Sequence, residues 1–149
     1  MRALVQRVRY GNVKIESENI FREIKNGMVI LLGIKNDDNE SDCIFVADKC
    51  SNLRIFEDEN DKMNLSIKDV NGEALIISQF TLYGDAKRGN RPSFTDAAKP
   101  EIAIPLYEKF IERMKQNLGE DKIKTGVFGA MMLVEIHNDG PVTIIVESK

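Results

Sequence analysis

The alternation of apolar and polar residues predicts that the chain opens in β structure. The segments ALVQRV and NVKIES each alternate, and they flank Gly11-Asn12, a pair typical of a hairpin turn. The next segment, GMVILLGI at residues 27–34, is apolar almost throughout, as expected for a strand that is buried on both faces. The sequence therefore predicts a hairpin followed by a central strand.

Two later segments repeat their apolar residues at helical spacing. The first follows the acidic stretch NDDNESD, whose carboxylates suit a helix N-terminus, and its apolar face contains Cys43, Val46, Ala47, Cys50 and Leu53. The second starts at Pro100 or Pro105 and continues to Leu118, where Gly119 is expected to end it. Both helices should lie on the sheet.

Further strand signals lie between and after the helices. Residues 54–67, RIFEDENDKMNLSI, are typical of a short strand, a polar turn and a returning segment, and Asn71-Gly72 is a turn signal before the apolar run ALIISQF. The last part, TGVFGAMMLVEIH and then PVTIIVES, is predicted to be strand, with Gly126 and Gly129 at bulges or points of close approach. The order predicts a mixed sheet with two helices packed on it.

Composition supports one domain that spans residues 1–149, because 42% of the chain is hydrophobic and 30% is charged. No stretch reaches the roughly 18 apolar residues of a membrane span, and the N-terminal segment is strand-like rather than a signal peptide. We therefore expect a cytoplasmic protein without a membrane partner. The net charge of -3 gives no general attraction to nucleic acid, so any RNA binding has to come from a local patch.

The residue types that hold metals and nucleotides are sparse. Cys43 and Cys50 share one helix face and are expected to be buried thiols rather than a disulfide. With these and a single histidine, His137, a zinc site is not expected, and no glycine-rich phosphate loop is present. A Ser-His-Asp triad would have to use His137, which is more typical of a surface residue at a strand end. The sequence therefore predicts neither a metal nor a cofactor.

Three short polar segments remain as candidate sites. SQFTLYGD, residues 78–85, is either a strand terminus whose hydroxyls satisfy local backbone groups or a site that binds a carbonyl oxygen. KRGNRPSF, residues 87–94, places Lys87, Arg88 and Arg91 around a flexible glycine, in either a solvated loop or a phosphate contact. HNDGPVT, residues 137–143, has a hairpin-like Asp139-Gly140, but Pro141 lacks the donor that a following strand needs.

These three segments, taken together, resemble the D-aminoacyl-tRNA deacylase family. The resemblance also includes LVQRV, LLGI, RIFED, KMNLSI and LYEKF, so that it spans nearly the whole chain. It implies a mixed α/β fold, in which β-sheets form a barrel-like core flanked by two helices, and an intertwined homodimer with the active site at the subunit interface. Tyr83-Gly84-Asp85 and His137 depart from the common pattern, which leaves the preferred tRNA open.

The resemblance implies hydrolysis of the ester bond of D-aminoacyl-tRNA, and of glycyl-tRNA, to the free amino acid and tRNA. In the family, the Gly140-Pro141 bond would be cis, and its rigid main chain would enter the active site of the partner chain. There it would exclude an L side chain by steric overlap, without a pocket that recognises the side chain. A thousandfold discrimination corresponds to about 4 kcal/mol, which a few overlaps with fixed backbone can supply.

The resemblance also assigns roles to individual residues. The N–H groups near Phe80 and Thr81 would form an oxyanion hole, and water would attack with help from the ribose 2′-OH of the acceptor end. Ser78 and Gln79 would position the substrate. Contacts to the substrate or to tRNA would come from Asn138, Asp139, Val142, Thr143, Arg7, Lys87, Arg88 and Arg91. Two alternatives stay open: an unselective esterase with Thr81 as the nucleophile, and a non-catalytic RNA-binding dimer.

Overall fold

The computed structural model describes residues 1–149 as eight strands and two α-helices. The elements in chain order are β1 Arg2–Ile15, β2 Ile20–Ile24, β3 Gly27–Gly33, α1 Glu40–Asn52, β4 Phe56–Glu57, β5 Met63–Leu65, β6 Glu73–Ser78, α2 Pro100–Leu118, β7 Ile123–Thr125 and β8 Leu133–Glu147. Short 3₁₀ helices lie at Glu16–Glu18, Phe80–Tyr83 and Glu120–Lys122. The predicted order of strands and helices is therefore largely confirmed.

Strand β1 is the centre of the main sheet. It pairs antiparallel with β3 along its first half and with β2 along its second half, and β8 pairs with it in antiparallel orientation from Arg2 to Lys14. Strand β3 continues the sheet through parallel pairing with β6, and β6 pairs in parallel with β7. Nη1 of Arg22 on β2 donates to the carbonyl oxygen of Thr125 on β7 at 2.7 Å, which draws the sheet towards a barrel. The mixed α/β, barrel-like fold class is confirmed.

The hairpin predicted at Gly11-Asn12 is wrong. Both residues are buried within the continuous strand β1, and Gly11 pairs with Ile24 on one side and with Ile136 on the other. The chain reverses instead at Glu16–Glu18, where Asn19 follows with φ of 52°. Pairing on both edges of β1 outweighs the local turn preference, because each buried residue keeps its ladder hydrogen bonds.

The two helices pack on one face of the sheet, as predicted. Asn39 caps α1 in a capping box with Asp42. Helix α2 begins at Pro100, so Pro105 lies inside it, and the Tyr107 hydroxyl donates to the carbonyl oxygen of Ile76 at 3.1 Å. Neither helix is long and apolar enough to cross a membrane.

Apolar clusters cover both faces of the sheet. The larger cluster, between the sheet and the helices, includes both cysteines as buried free thiols. Burial raises the pKa of the Cys43 thiol to about 11 and that of Cys50 to about 12, so both stay protonated at neutral pH. The smaller cluster lies on the opposite face and contains Val8, Val13, Ile15, Ile24, Val29, Leu75 and Ile77.

The C-terminal part differs from the prediction in two ways. Residues 126–132 form a loop and turn, so the last strand begins only at Leu133. From there β8 runs as one strand to Glu147, and Asp139-Gly140 is not a hairpin turn. Gln6 pairs with Thr143 and Val8 with Asn138, so two steps along β1 match five along β8. The surplus makes residues 139–142 bulge out of the strand.

Candidate functional site

The polar segment at residues 78–81 starts where β6 ends. Ser78 is the last residue of the strand, and the N–H of Gln79 still donates to the carbonyl oxygen of Leu32 at 2.8 Å. The side-chain amide of Gln79 donates to Oγ1 of Thr81. The hydroxyl of Thr81 is therefore held by an amide donor, which cannot act as a base.

The 3₁₀ helix Phe80–Tyr83 presents its N-terminal end beside this strand end. Within it, the N–H of Leu82 donates to the carbonyl oxygen of Gln79 at 3.3 Å, and the N–H of Gly84 donates to that of Thr81 at 3.0 Å. The first N–H groups of a helix have no acceptor inside it, and the Gln79 side chain does not cap this helix. The N–H groups of Phe80 and Thr81 are thus the open donors of the helix.

A cleft of about 460 Å³ lies next to these donors. One wall consists of Ile77, Ser78, Gln79 and Phe80, and the other is formed by the loop from Phe128 to Met132 with Val134. Met131 on this loop is 89% exposed. The cleft has the size and the mixed apolar and polar lining that are typical of a small-molecule site.

The loop that forms the second wall was not predicted as part of the site. Its signal in the sequence was the pair Gly126 and Gly129, which indicated close approach or a bulge. In the structure, a β-carbon on Gly126 would lie 2.5 Å from the sulfur of Met132, and Gly129 has φ of 77°. These glycines let the loop fold tightly enough for Phe128 and Met131 to face the strand end.

The basic segment continues from the same region on an exposed loop. Backbone hydrogen bonds of 2.8 and 2.9 Å join Asp85 and Ser93 and close this loop. Lys87, Arg88 and Arg91 lie within it and are exposed, and none of the three forms an ion pair. Phe94 then packs edge-on against Phe80, with ring centroids 5.2 Å apart, so the loop is anchored beside the cleft.

The Gly140-Pro141 segment forms the tip of the bulge in β8. The peptide bond between these two residues is cis, and Gly140 has φ of 115°, a backbone conformation that favours glycine. The base of the bulge is closed by the Asn138 side chain, whose amide donates to the carbonyl oxygens of Arg7 and Val142 at 3.1 and 3.0 Å. The Thr143 hydroxyl donates to Asn138 Oδ1 at 3.4 Å.

Arg7 supports this bulge from β1. Its side chain is buried, and Nη1 donates to the carbonyl oxygen of Ile55 at 2.7 Å. Nε lies 3.3 Å from the Asp139 carboxylate but is not aligned for a hydrogen bond, whereas Nε of the exposed Arg9 donates to Asp139 at 3.1 Å. A second cavity, of about 260 Å³, is lined by these three side chains with Phe56 and Glu57.

The pairing register separates the two motifs within one chain. Ser78 on β6 pairs with Leu32 on β3, and Leu32 pairs with Ala3 on β1. The bulge in β8, in contrast, lies opposite Arg7 of β1. Four residues of β1 correspond to roughly 13 Å along the strands, and the three strand spacings from β6 to β8 add roughly 14 Å across them. Residues 78–80 accordingly line one cavity, whereas Asp139, next to Gly140, lines another.

His137 takes no part in a triad. Its Nε2 lies 2.8 Å from Oε1 of Glu135, and its ring packs edge-on against Tyr10 with centroids 5.1 Å apart. The hydrogen bond from His137 lowers the pKa of Glu135. No serine or threonine hydroxyl forms a hydrogen bond with His137, so the structure does not assemble a Ser-His-Asp triad. No three His, Cys, Asp or Glu side chains cluster as metal ligands.

Comparisons with known proteins point to one family. The sequence model described as D-Tyr-tRNA(Tyr) deacylase matches residues 4–147. The proteins called D-aminoacyl-tRNA deacylase in Flavobacterium psychrophilum and Fervidobacterium nodosum are 52% and 55% identical to the chain over 149 residues, covering 100% of it and 98% of each relative.

Two solved structures share the fold. One, described as c-Myc DNA Unwinding Element Binding Protein, has a TM-score of 0.93 at 41% identity and covers 100% of this chain and 99% of its own. The other, described as a probable eukaryotic D-amino acid tRNA deacylase, has a TM-score of 0.85 at 15% identity over 98% of both chains, a likeness of fold alone.

Proposed function

The chain belongs to the D-Tyr-tRNA(Tyr) deacylase family, and on that premise we propose that it hydrolyses the ester bond of D-aminoacyl-tRNA to a free D-amino acid and tRNA. The same reaction would remove glycine from glycyl-tRNA, whereas L-aminoacyl-tRNA would be rejected. As a hydrolase that acts on aminoacyl-tRNA, a substrate of translation, it is expected in the cytoplasm. The reaction needs no cofactor in this proposal.

The observation that carries the proposal is the open helix end at Phe80 and Thr81, which borders the cleft beside Ser78 and Gln79. Attack on an ester carbonyl places negative charge on its oxygen, and backbone N–H donors fixed in position stabilise that charge. A carbonyl oxygen bound at these two donors would leave the ester carbon facing the cleft. Ser78 and Gln79 would hold the amino group or the terminal ribose.

We favour water as the nucleophile. The Thr81 hydroxyl accepts a hydrogen bond from Gln79, and a hydroxyl needs a neighbouring base to become a strong nucleophile. The single imidazole of the chain, that of His137, contacts Glu135 and Tyr10 instead. The ribose 2′-OH of the tRNA would assist the water, so that the substrate would supply part of the catalyst.

Chiral rejection would require a second copy of the chain. The separation of the two motifs within one chain supports this, because the register places Gly140-Pro141 three strands and about four residues away from Ser78 of its own chain. In a homodimer, the bulge of one protomer would enter the cleft of its partner and exclude an L side chain there by contact with main chain. Arg7 and Asn138 would keep the bulge rigid, together with Asp139, Val142 and Thr143.

The basic loop is the proposed contact to the acceptor end of tRNA. Lys87, Arg88 and Arg91 carry positive charge without acidic partners, and the Phe80–Phe94 contact places their loop beside the cleft. Phosphate contacts of this kind fix the position of the RNA and carry no information about its sequence. They also suit a chain of net charge -3, which has to release its product.

The decisive experiment follows the decay of D-Tyr-tRNA, L-Tyr-tRNA and glycyl-tRNA with purified protein. Rapid loss of the D and glycyl esters, with the L ester stable, is the expected result. Loss of all three esters would point instead to an unselective esterase that uses Thr81. Retention of all three, with RNA bound, would identify a non-catalytic RNA-binding dimer. In either of those cases the proposed function is wrong.

A further inference from the structure

We propose that Arg2 is a positioning residue for the proposed hydrolysis, because it fixes the 3₁₀ helix Phe80–Tyr83 against the sheet. The inference rests on the proposed function, in which the open N–H groups of this helix bind the ester carbonyl. Arg2 lies at the start of β1 and contacts Leu82 and Tyr83 at the C-terminal end of the helix, away from its N-terminal residues Phe80 and Thr81. It therefore acts through the helix rather than on the substrate.

Two contacts join Arg2 to the helix. Nη1 of Arg2 donates to the carbonyl oxygen of Leu82 at 2.7 Å. The carbon of the guanidinium group lies 4.8 Å from the centre of the Tyr83 ring, a distance that allows a cation–π interaction. Because these contacts involve two consecutive residues, Leu82 and Tyr83, they restrain both the position and the orientation of the C-terminal end of the helix.

Glu147 on β8 sets the direction of this guanidinium group. Arg2 and Glu147 are a cross-strand pair, and Nε of Arg2 lies 2.5 Å from Oε1 of Glu147. The carboxylate occupies the Nε side of the group, which leaves Nη1 directed at Leu82 and the flat face over Tyr83. Both charged groups are thus committed within the chain, which argues against a role for Arg2 as a free phosphate contact.

Gly33 completes the support, since it is the partner of Arg2 on the other edge of β1. A β-carbon at Gly33 would lie 3.1 Å from Cβ of Leu82 and 3.2 Å from both the carbonyl oxygen of Gln79 and the Tyr83 ring. Glycine therefore lets the helix lie directly on the strand. The row Gly33, Arg2 and Glu147 runs across three strands and forms the seat of the helix.

The seat matters because donors stabilise a developing charge only when they are held in the right place. A displacement of about 1 Å at a reacting centre can cost up to roughly a hundredfold in rate. We therefore expect loss of the Arg2 contacts to lower the rate of the chemical step. Binding of tRNA should be nearly unchanged, since Arg2 does not contact the RNA in this proposal.

The test compares Arg2→Gln and Arg2→Lys with the control Arg113→Gln. Arg113 is a matched control because its side chain is also 35% exposed and also pairs with a carboxylate, that of Asp48, but between the two α-helices. Single-turnover rates and KM for D-Tyr-tRNA are measured well below the unfolding temperatures of all variants. Amide hydrogen exchange of residues 79–84 gives a readout that does not depend on activity.

The expected result is a fall in kcat of roughly ten- to a hundredfold for Arg2→Gln, with KM within about twofold and faster exchange at residues 79–84. Arg2→Lys, which keeps one donor and the charge, should recover part of the rate, and Arg113→Gln should match the wild type. An unchanged kcat for Arg2→Gln, or an effect confined to KM, would overturn the inference. If the wild type itself is inactive, the proposed function fails, and unchanged exchange would then refute the inference independently.

Discussion

The guanidinium group of Arg7 lies 3.1 Å from the point at which a β-carbon on Gly140 would be placed. The bulge in β8 therefore rests directly on a buried arginine, which itself is held by the carbonyl oxygen of Ile55. Because Gly140 also has φ of 115°, both its backbone and its surroundings favour a residue without a side chain.

Gly140→Ala is therefore expected to lower the free energy of unfolding by about 1–3 kcal/mol, the usual cost of a residue held in a sparsely populated backbone region. It should also reduce discrimination between D-Tyr-tRNA and L-Tyr-tRNA, because the bulge has to move away from Arg7. Urea unfolding at a fixed protein concentration and the two deacylation rates measure these effects. For stability, Gly89→Ala is the matched control, since Gly89 has φ of 108° but no atom within 4 Å. Equal losses of unfolding free energy in both variants would show that the contact with Arg7 does not contribute to the effect.

Thr81→Ala is expected to keep a kcat within about tenfold of the wild type, because water rather than the hydroxyl attacks the ester in the proposed mechanism. Thr81→Ser serves as the companion variant, since it keeps the hydroxyl that Gln79 contacts. Single-turnover deacylation of D-Tyr-tRNA is the measurement. If Thr81→Ser deacylates D-Tyr-tRNA and Thr81→Ala does not, Thr81 is the nucleophile instead.

Replacement of Lys87, Arg88 and Arg91 by glutamine is expected to raise KM equally for D-Tyr-tRNA and glycyl-tRNA. Each lost phosphate contact should make the plot of log binding constant against log salt concentration less steep by about 0.7–0.9. Binding is measured by titration at several salt concentrations. The control replaces Lys49, Lys62 and Lys68, which are also exposed but lie elsewhere. An equal effect of both triple variants would indicate general charge attraction without a specific basic loop.

The ion pair between Asp48 and Arg113 predicts a pH dependence of stability. Hydrogen bonds from Arg113 hold the pKa of Asp48 below its usual value, although partial burial acts in the opposite direction. Because the pKa is lower in the folded chain, this contribution is present above the pKa of the unfolded state and is lost as the pH falls through the folded pKa.

Asp48→Asn should accordingly destabilise the chain near pH 7 by more than it does near pH 3. The effect is expected to be small and weaker in salt, since both side chains are more than one-third exposed. Urea unfolding of both proteins at the two pH values is the measurement. A difference between the proteins that does not change with pH would show that the asparagine acts through lost packing.

The sequence determined the elements whose signals are local. Helix α1 was predicted because the acidic stretch NDDNESD places carboxylates at its N-terminal end and its apolar residues recur at helical spacing. The capping box of Asn39 and Asp42 is the local structure that fixes this end. Strand β3 was predicted from its unbroken apolar run, which matches its burial on both faces. The three polar segments were likewise visible in the sequence, because turn residues and charged residues interrupt the apolar pattern there.

Only the tertiary structure decided the features that depend on pairing between distant strands. Gly11-Asn12 has the local preference of a turn, but hydrogen bonds to β2 and β8 keep it inside β1. The bulge at Gly140 and the seat formed by Gly33 and Arg2 likewise arise from register across the sheet, which no short window of residues contains. The separation of Ser78 from Gly140 follows from the same register. The sequence thus indicated which polar segments are candidate sites, whereas cross-strand hydrogen bonding decided which of them lie close together.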